Sequence, residues 1–329
     1  MAAATSNSAA MLGEALRPVP RLHAGDRVAL VCPAAHLGRE REALLADALG
    51  ILRDWQLDVL PVEGAERFHL YLAGTDVARA EEFQRLYSDP TVKGLFAARG
   101  GYGTMRMLPH LEAGPIANAA PKPVVGFSDI TALHLYLHRF AGITTFHGPC
   151  LVPSGGLDAA SREADLAAMY AALFEGTFPP CTGLTALNEA ATRAGSITGT
   201  LLGGSLTLMA TSIGTRWQPG LRGALLVLED VDEAPYRIDR MVTHLRTARL
   251  LDGLAGIALG QFTRCDAGRP ELLQATLADL FGDIPVPVVT GLPMGHEAPN
   301  RTLPLGAAAT LTCAGDGTAS LAVEYTPAA

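Results

Sequence analysis

The sequence predicts two α/β domains, the first built on a parallel sheet and the second of mixed character. Three observations lead there. The chain has 329 residues, about twice what an ordinary domain needs. Short apolar runs alternate with helical stretches through the first half, and that alternation implies right-handed crossovers and a parallel sheet. From about Pro153 the alternation gives way to a Pro/Gly/Thr-rich stretch and then to a different order of strands and helices. The boundaries expected are a disordered Ala/Ser-rich tail over 1–20, an N-terminal domain over 21–152, a linker region over 153–195 and a C-terminal domain over 196–329.

Each element has a local reason. Residues 26–32 are an apolar run bounded by Gly25 and Pro33, as a buried strand is. A helix follows over about 39–55, with Leu44, Leu45, Ala48, Leu52 and Trp55 on one face. Next come a strand over 57–62, a helix over 75–87 capped by Thr75 or Asp76, and a strand over 93–97. Another helix begins after Gly103, and 123–127, 129–140 and 143–146 read as strand, helix and strand. That order is flavodoxin-like. A helix over 158–174 leads into the Pro/Gly/Thr-rich connection through Pro179, Pro180, Cys181 and Thr182. The second half offers strands at 224–228, 257–262, 286–290, 308–313 and 320–325, with helices over 236–250 and near 270–281.

Composition excludes several classes. Net charge is −8 with no basic block, which argues against nucleic acid as a partner. The five cysteines (Cys32, Cys150, Cys181, Cys265, Cys313) are odd in number and far apart, so neither a zinc site nor a disulfide scaffold is expected. That pattern favours a reducing compartment, and the N-terminal stretch lacks the basic and apolar regions of a secretory signal. Residues 194–215 carry no charge over a length that could span a bilayer, yet 13 of those 22 are Gly, Ser or Thr. The segment is expected to be buried or turn-rich protein, and no membrane partner is expected.

The candidate chemistry begins at Val124-Val125-Gly126-Phe127-Ser128-Asp129, where an apolar strand runs straight into a serine that opens a helix. A sharp strand-to-helix turn exposes a hydroxyl above the sheet edge, and the helix N-terminus offers free N–H groups to developing negative charge. Gly126 permits tight packing, although Ile130 stands where such elbows usually carry a second glycine. Serine is equally a favoured helix cap, so this stretch alone does not choose between nucleophile and cap. A base must come from the nine histidines, because only two lysines exist and Lys122 lies in the approach to the elbow. His296, between two Gly/Pro turns just past a strand, and His147, which ends another strand, are the rivals. Glu229 is the first of four acids after an apolar strand, with Asp230, Asp232 and Glu233. It suits an orienting carboxylate, while acids ahead of a helix also favour its positive end. The loop Arg99-Gly100-Gly101-Tyr102-Gly103 fits neither a dinucleotide nor a Walker pattern, and reads as an oxyanion hole or a plain βα turn. His134 and His138 lie four apart on a helix without a third ligand, so no metal and no cofactor are expected.

Together these motifs resemble the LD-carboxypeptidases of the S66 serine peptidase family. The residues that carry the likeness are Arg99–Gly103, Gly126-Phe-Ser-Asp-Ile-Thr131, His147-Gly-Pro149, Leu202-Gly-Gly204, Leu228-Glu-Asp230 with Glu233–Arg240, Gly295-His296 and Leu303-Pro-Leu-Gly306. They stand in family order over nearly the whole chain. The resemblance implies a Ser128 nucleophile, a His296 base and a Glu229 that orients it, with the backbone N–H groups of Asp129 and Gly101 lining the oxyanion hole. Gly100 is the close rival for the second donor, and Gly100 and Tyr102 are the implied substrate contacts. Ser205 departs from the asparagine usual after the paired glycines, and Glu297 and Ala298 replace a small or polar pair. The function implied by the resemblance is that of a cytoplasmic, homodimeric serine carboxypeptidase, which removes the terminal D-alanine of murein tetrapeptides through an acyl-enzyme. The alternatives are a microcin C-type self-immunity peptidase on the same scaffold, or a non-catalytic small-molecule binding protein in which Ser128, Glu229 and His296 lie apart.

Overall fold

The computed structural model describes residues 15–38, 42–152, 159–193 and 195–329. Five short strands open the chain, buried except for the edge strand β2: β1 (Arg27–Val31), β2 (Asp58–Val59), β3 (Val92–Ala97), β4 (Val124–Gly126) and β5 (Thr145–His147). They are followed by β6 (Cys181–Ala186), β7 (Gly195–Ser205), β8 (Ala224–Val231), β9 (Gly256–Thr263), β10 (Val288–Thr290), β11 (Leu303–Leu305), β12 (Ala308–Cys313) and β13 (Thr318–Glu324). The first five pair in parallel in the spatial order 2-1-3-4-5, the flavodoxin-like order, with β11 added antiparallel to β5 at the edge. The remaining strands close into a barrel, β10-β6-β13-β12-β7-β8-β9, parallel from β7 through β10 and antiparallel elsewhere. Parallel and antiparallel pairs in one closed sheet are what make the second half a mixed domain.

The helices are α1 (Glu42–Asp54), α2 (Asp76–Ser88), α3 (Thr104–Met107), α4 (Ala113–Asn118), α5 (Thr131–Phe140), α6 (Ala159–Tyr170), α7 (Leu206–Thr211), α8 (Pro235–Thr247) and α9 (Pro270–Phe281). Thr75 caps α2, its hydroxyl oxygen accepting the Ala78 N–H at 3.2 Å. None of the helices among the described residues is long and apolar enough to cross a membrane. The main core runs from the N-terminal sheet to the helices packed on the outside of the barrel, and the barrel interior is a second apolar cluster.

Three boundaries differ from the sequence-based expectation. Of the expected tail, residues 1–14 lie outside the described residues, but Leu16 bonds Gly306, Arg17 bridges to Ile143 and Val19 is fully buried. Of the expected linker, 153–158 and 194 lie outside the described residues. The rest holds α6 and β6, and β6 is a full barrel strand that its flanking prolines and glycines disguise. The span assigned to the C-terminal domain also gives up β11, whose Leu-Pro-Leu sits on a sheet edge, where proline's missing N–H costs no ladder bond. Within the uncharged stretch, residues 195–211 form β7 and α7. Its hydroxyls pair across strands, Ser196 with Thr312 and Thr198 with Thr310 at 3.0 Å, so small polar residues here fill the outer face of a strand.

The two halves meet where β7 ends. Ser205 N–H donates to the hydroxyl of Thr131, the first residue of α5, at 3.1 Å. Gly204 makes that approach possible, with a φ of +133° and a position where a Cβ would stand 2.5 Å from Thr131 Oγ1. Gly204→Ala should therefore lower stability by about 1–3 kcal/mol in denaturant unfolding, and wild-type stability in that variant would contradict the contact.

Candidate active site

The carboxyl ends of β4 and β8 face each other across that junction. β4 ends at Gly126, and the chain turns at Ser128 into a short 3-10 turn, Ser128–Ile130, that feeds α5. Ser128 has a φ of +61°, a left-handed conformation that a residue with a side chain adopts only when its surroundings hold it there. A Cβ at Gly126 would lie 2.9 Å from both Ala97 Cβ and Ile130 Cγ2, so the glycine makes room for the isoleucine that replaces the usual second glycine. The Ser128 hydroxyl is turned away from the helix end and meets His296 Nε2 at 3.0 Å.

His296 reaches that point on the loop between β10 and β11. A Cβ at Gly260, on β9, would collide with the Met294 carbonyl oxygen; without one, the loop lies flat on β9 and Gln261 N–H bonds Met294 O at 2.8 Å. The far side is held by Asn300, whose Oδ1 accepts Gly295 N–H at 3.2 Å and His147 Nε2 at 3.0 Å while its own N–H meets the Asp165 carboxylate. His147 is fully buried, and burial pushes its imidazole down to about 3, so it is a neutral donor beneath the loop and not a second base. The Phe127 ring lies against both imidazoles, 4.8 Å from His296 and 5.7 Å from His147.

Glu229 lies within β8, which runs on to Val231, and is fully buried. Its Oε2 lies 2.8 Å from His296 Nδ1. That contact assigns the Nδ1–H donor to the carboxylate and leaves Nε2 unprotonated toward the serine. The arrangement is able to draw a proton from Ser128 and hold the resulting imidazolium. The other three acids do different work. Asp230 ties the start of α7, accepting from Thr207 N–H at 2.7 Å and Thr207 hydroxyl at 2.9 Å; Asp232 forks with Arg264; Glu233 pairs loosely with Arg237.

The glycine loop packs under the elbow. A Cβ at Gly100 would stand 3.0 Å from Ser128 Cβ, and one at Gly101, at φ +114°, would stand 2.7 Å from Ala35 Cβ. Tyr102 projects half-exposed beside Tyr71, ring edge to face at 5.6 Å. The Asp129 carboxylate is buried and accepts Thr104 N–H at 2.8 Å, tying the elbow to the loop's end. That side-chain role, and Asn300 behind the histidine loop, escape sequence reasoning because neither carries a local pattern. His134 Nε2 donates to Gly126 O and His138 Nε2 meets Thr145 Oγ1, both imidazoles buried, with burial pushing them down to about 4 and about 3. No cluster able to hold a metal occurs among the described residues. A cavity of about 1280 Å³ opens beyond His36, lined by Leu37, Leu45, Val62 and Phe68 among others, and none of Ser128, Glu229 or His296 borders it.

Burial, reinforced by the neighbouring Glu229 carboxylate, pushes Asp230 from 3.8 up to about 6. A carboxyl whose folded value is raised contributes stability below its unfolded value and loses it as pH rises through the folded one. Asp230→Asn should therefore flatten the fall in melting temperature between about pH 4 and 6. An unchanged slope in thermal scans would remove Asp230 as its source.

Residues 28–148 match the LD-carboxypeptidase N-terminal domain and residues 198–311 the LD-carboxypeptidase C-terminal domain. The murein tetrapeptide carboxypeptidase of Pseudomonas aeruginosa is 33% identical over 294 residues, covering 87% of this chain and 92% of its own. The microcin C7 self-immunity protein of Escherichia coli is 28% identical over 261 residues, covering 72% of this chain and 76% of its own. The crystal structure of muramoyltetrapeptide carboxypeptidase from Oxalobacter formigenes superposes with a TM-score of 0.76 at 30% identity, covering 92% of this chain and 100% of that one.

Proposed function

The chain belongs to the S66 peptidases, the LD-carboxypeptidase family, and is a serine-type carboxypeptidase; from that premise we propose that it removes the terminal D-alanine of murein tetrapeptides. The observation that carries the reading is the unbroken chain of hydrogen bonds from Glu229 through His296 to Ser128.

Ser128 Oγ attacks the carbonyl carbon of the L,D-peptide bond as His296 Nε2 takes its proton. The tetrahedral oxyanion is met by the N–H groups of Asp129 and Gly101. Gly101 is the second donor in this reading, with Gly100 as its rival. Collapse breaks the C–N bond, His296 returns the proton to the leaving D-alanine amine, and the acyl group stays on Ser128. Water then attacks the ester with His296 again as base, which releases the shortened peptide and restores the serine. Glu229 keeps Nδ1 protonated throughout. The reading includes a homodimer in the cytoplasm, as the family resemblance implies.

A second substrate class has one observation in its favour. Tyr71 and Tyr102 form an exposed aromatic pair next to the glycine loop, a surface on which a nucleobase could stack. Mass spectrometry of L-Ala–γ-D-Glu–diaminopimelate–D-Ala after incubation with the protein separates the two. Loss of one alanine supports the murein reading, while an untouched tetrapeptide with cleavage of an aminoacyl-nucleotide peptide moves the substrate to the second class.

In the same assay Ser128→Ala and His296→Ala should each fold and lose about 10⁴-fold or more in kcat. Glu229→Gln should lose less, since it only orients the imidazole. Activity surviving in Ser128→Ala overturns the mechanism.

A further inference from the structure

Arg79 is the largest fully buried side chain among the described residues, on the face of α2 that also carries Phe83 and Leu86. A charged group in such a stripe is costly unless it is paired and hydrogen-bonded, and a leucine or methionine would fill the same space without that cost. Its Nη1 donates to two backbone carbonyls, Pro33 O just past β1 and Gly103 O at 2.8 Å, and its Nη2 to the Asp76 carboxylate. Asp76 in turn accepts Arg106 Nε at 3.1 Å and Nη2 at 2.9 Å. One residue further along, Thr104 N–H donates to Asp129 Oδ2. The end of the glycine loop is thus clasped by opposite charges on either side of one peptide bond, Arg79 on the Gly103 carbonyl and Asp129 on the Thr104 amide.

We propose that Arg79 is a positioning residue for the oxyanion hole, a role that rests on the reading of Gly101 and Asp129 as its donors. Its planar fork pins the loops after β1 and β3 to each other. In doing so it sets the Gly101 N–H against the Asp129 N–H, although Arg79 touches neither the nucleophile nor the substrate. A shift of about 1 Å in such a donor is enough to cost on the order of 10²-fold.

Arg79→Lys is the informative variant. It keeps charge and stem length, but a single ammonium does not reproduce the fork that holds Pro33 O, Gly103 O and Asp76 together. The expected result is kcat on the tetrapeptide down by roughly 10²-fold with KM little changed. Affinity for a peptide boronate, which builds a tetrahedral oxyanion on Ser128, should fall by the same factor. The pH profile should not move, because the His296–Glu229 pair is untouched. Asp76→Asn, which loosens Nη2 without emptying the core, should show a smaller loss in the same proportion in both measurements and serves if Arg79→Lys folds poorly. Wild-type kcat and boronate affinity would overturn the proposal. So would a fall in kcat without a parallel fall in boronate affinity. The rate at which a fluorophosphonate labels Ser128 draws on the same hole without any peptide, and should slow in step. That readout tests Arg79 even if the tetrapeptide is not the substrate, so failure of one reading is distinguishable from failure of the other.

Discussion

Everything at the candidate site depends on one constraint: a path of two hydrogen bonds whose ends belong to different halves of the molecule. Ser128 sits on the parallel sheet, whereas Glu229 and His296 sit on the barrel, and the path works only if the halves are registered to a few tenths of an ångström. The fold secures that register in three ways. β11 leaves the barrel half to pair with β5, Thr131 receives the Ser205 amide, and the main core is continuous from the parallel sheet to the helices outside the barrel. The path is therefore preformed. No closure of one half on the other is needed to assemble it.

Burial divides labour among residues that look alike in sequence. Four histidines lie near the elbow, but His134, His138 and His147 are sealed in the core, where burial holds them neutral and makes them fixed hydrogen-bonding struts. His296 keeps a partly open edge and contacts both the serine and the carboxylate. The four acids after β8 sort the same way. Glu229 is inside the strand and faces the imidazole, Asp230 is inside and faces α7, and Asp232 and Glu233 are on the surface with arginines. Depth and direction assign the roles, because neighbours along a strand point to opposite faces.

Backbone supports complete the picture. The histidine loop rests on Gly260 on one side and on Asn300 on the other, and the glycine loop rests on Ala35, Arg79 and Asp129. Each support fixes a main-chain atom, and the side chains of the candidate site inherit their positions from it. Such supports come from residues far from the loops they hold: Asp165 and His147 reach the Asn300 loop, and Arg79 reaches Gly103.

Much of this was legible in the chain. The βα alternation, the strand-to-helix serine, the histidine between Gly/Pro turns and the acid after an apolar run are local signals, since each depends on neighbours in sequence that are neighbours in space. Ranges such as α9, and the Thr75 cap of α2, arise from the same short-range physics. What the chain could not reveal was set by contacts between distant segments. β6, β7 and β11 are strands because barrel closure and sheet edges supply partners for small, polar or proline-containing segments with weak propensities of their own. Burial separates His296 from His147, and the contacts of Arg79, Asn300 and the Asp129 carboxylate depend on which backbone groups the fold brought to them. Local sequence determined which residues have the chemistry to react. Only tertiary packing, which fixes distance and desolvation, decided which of them meet.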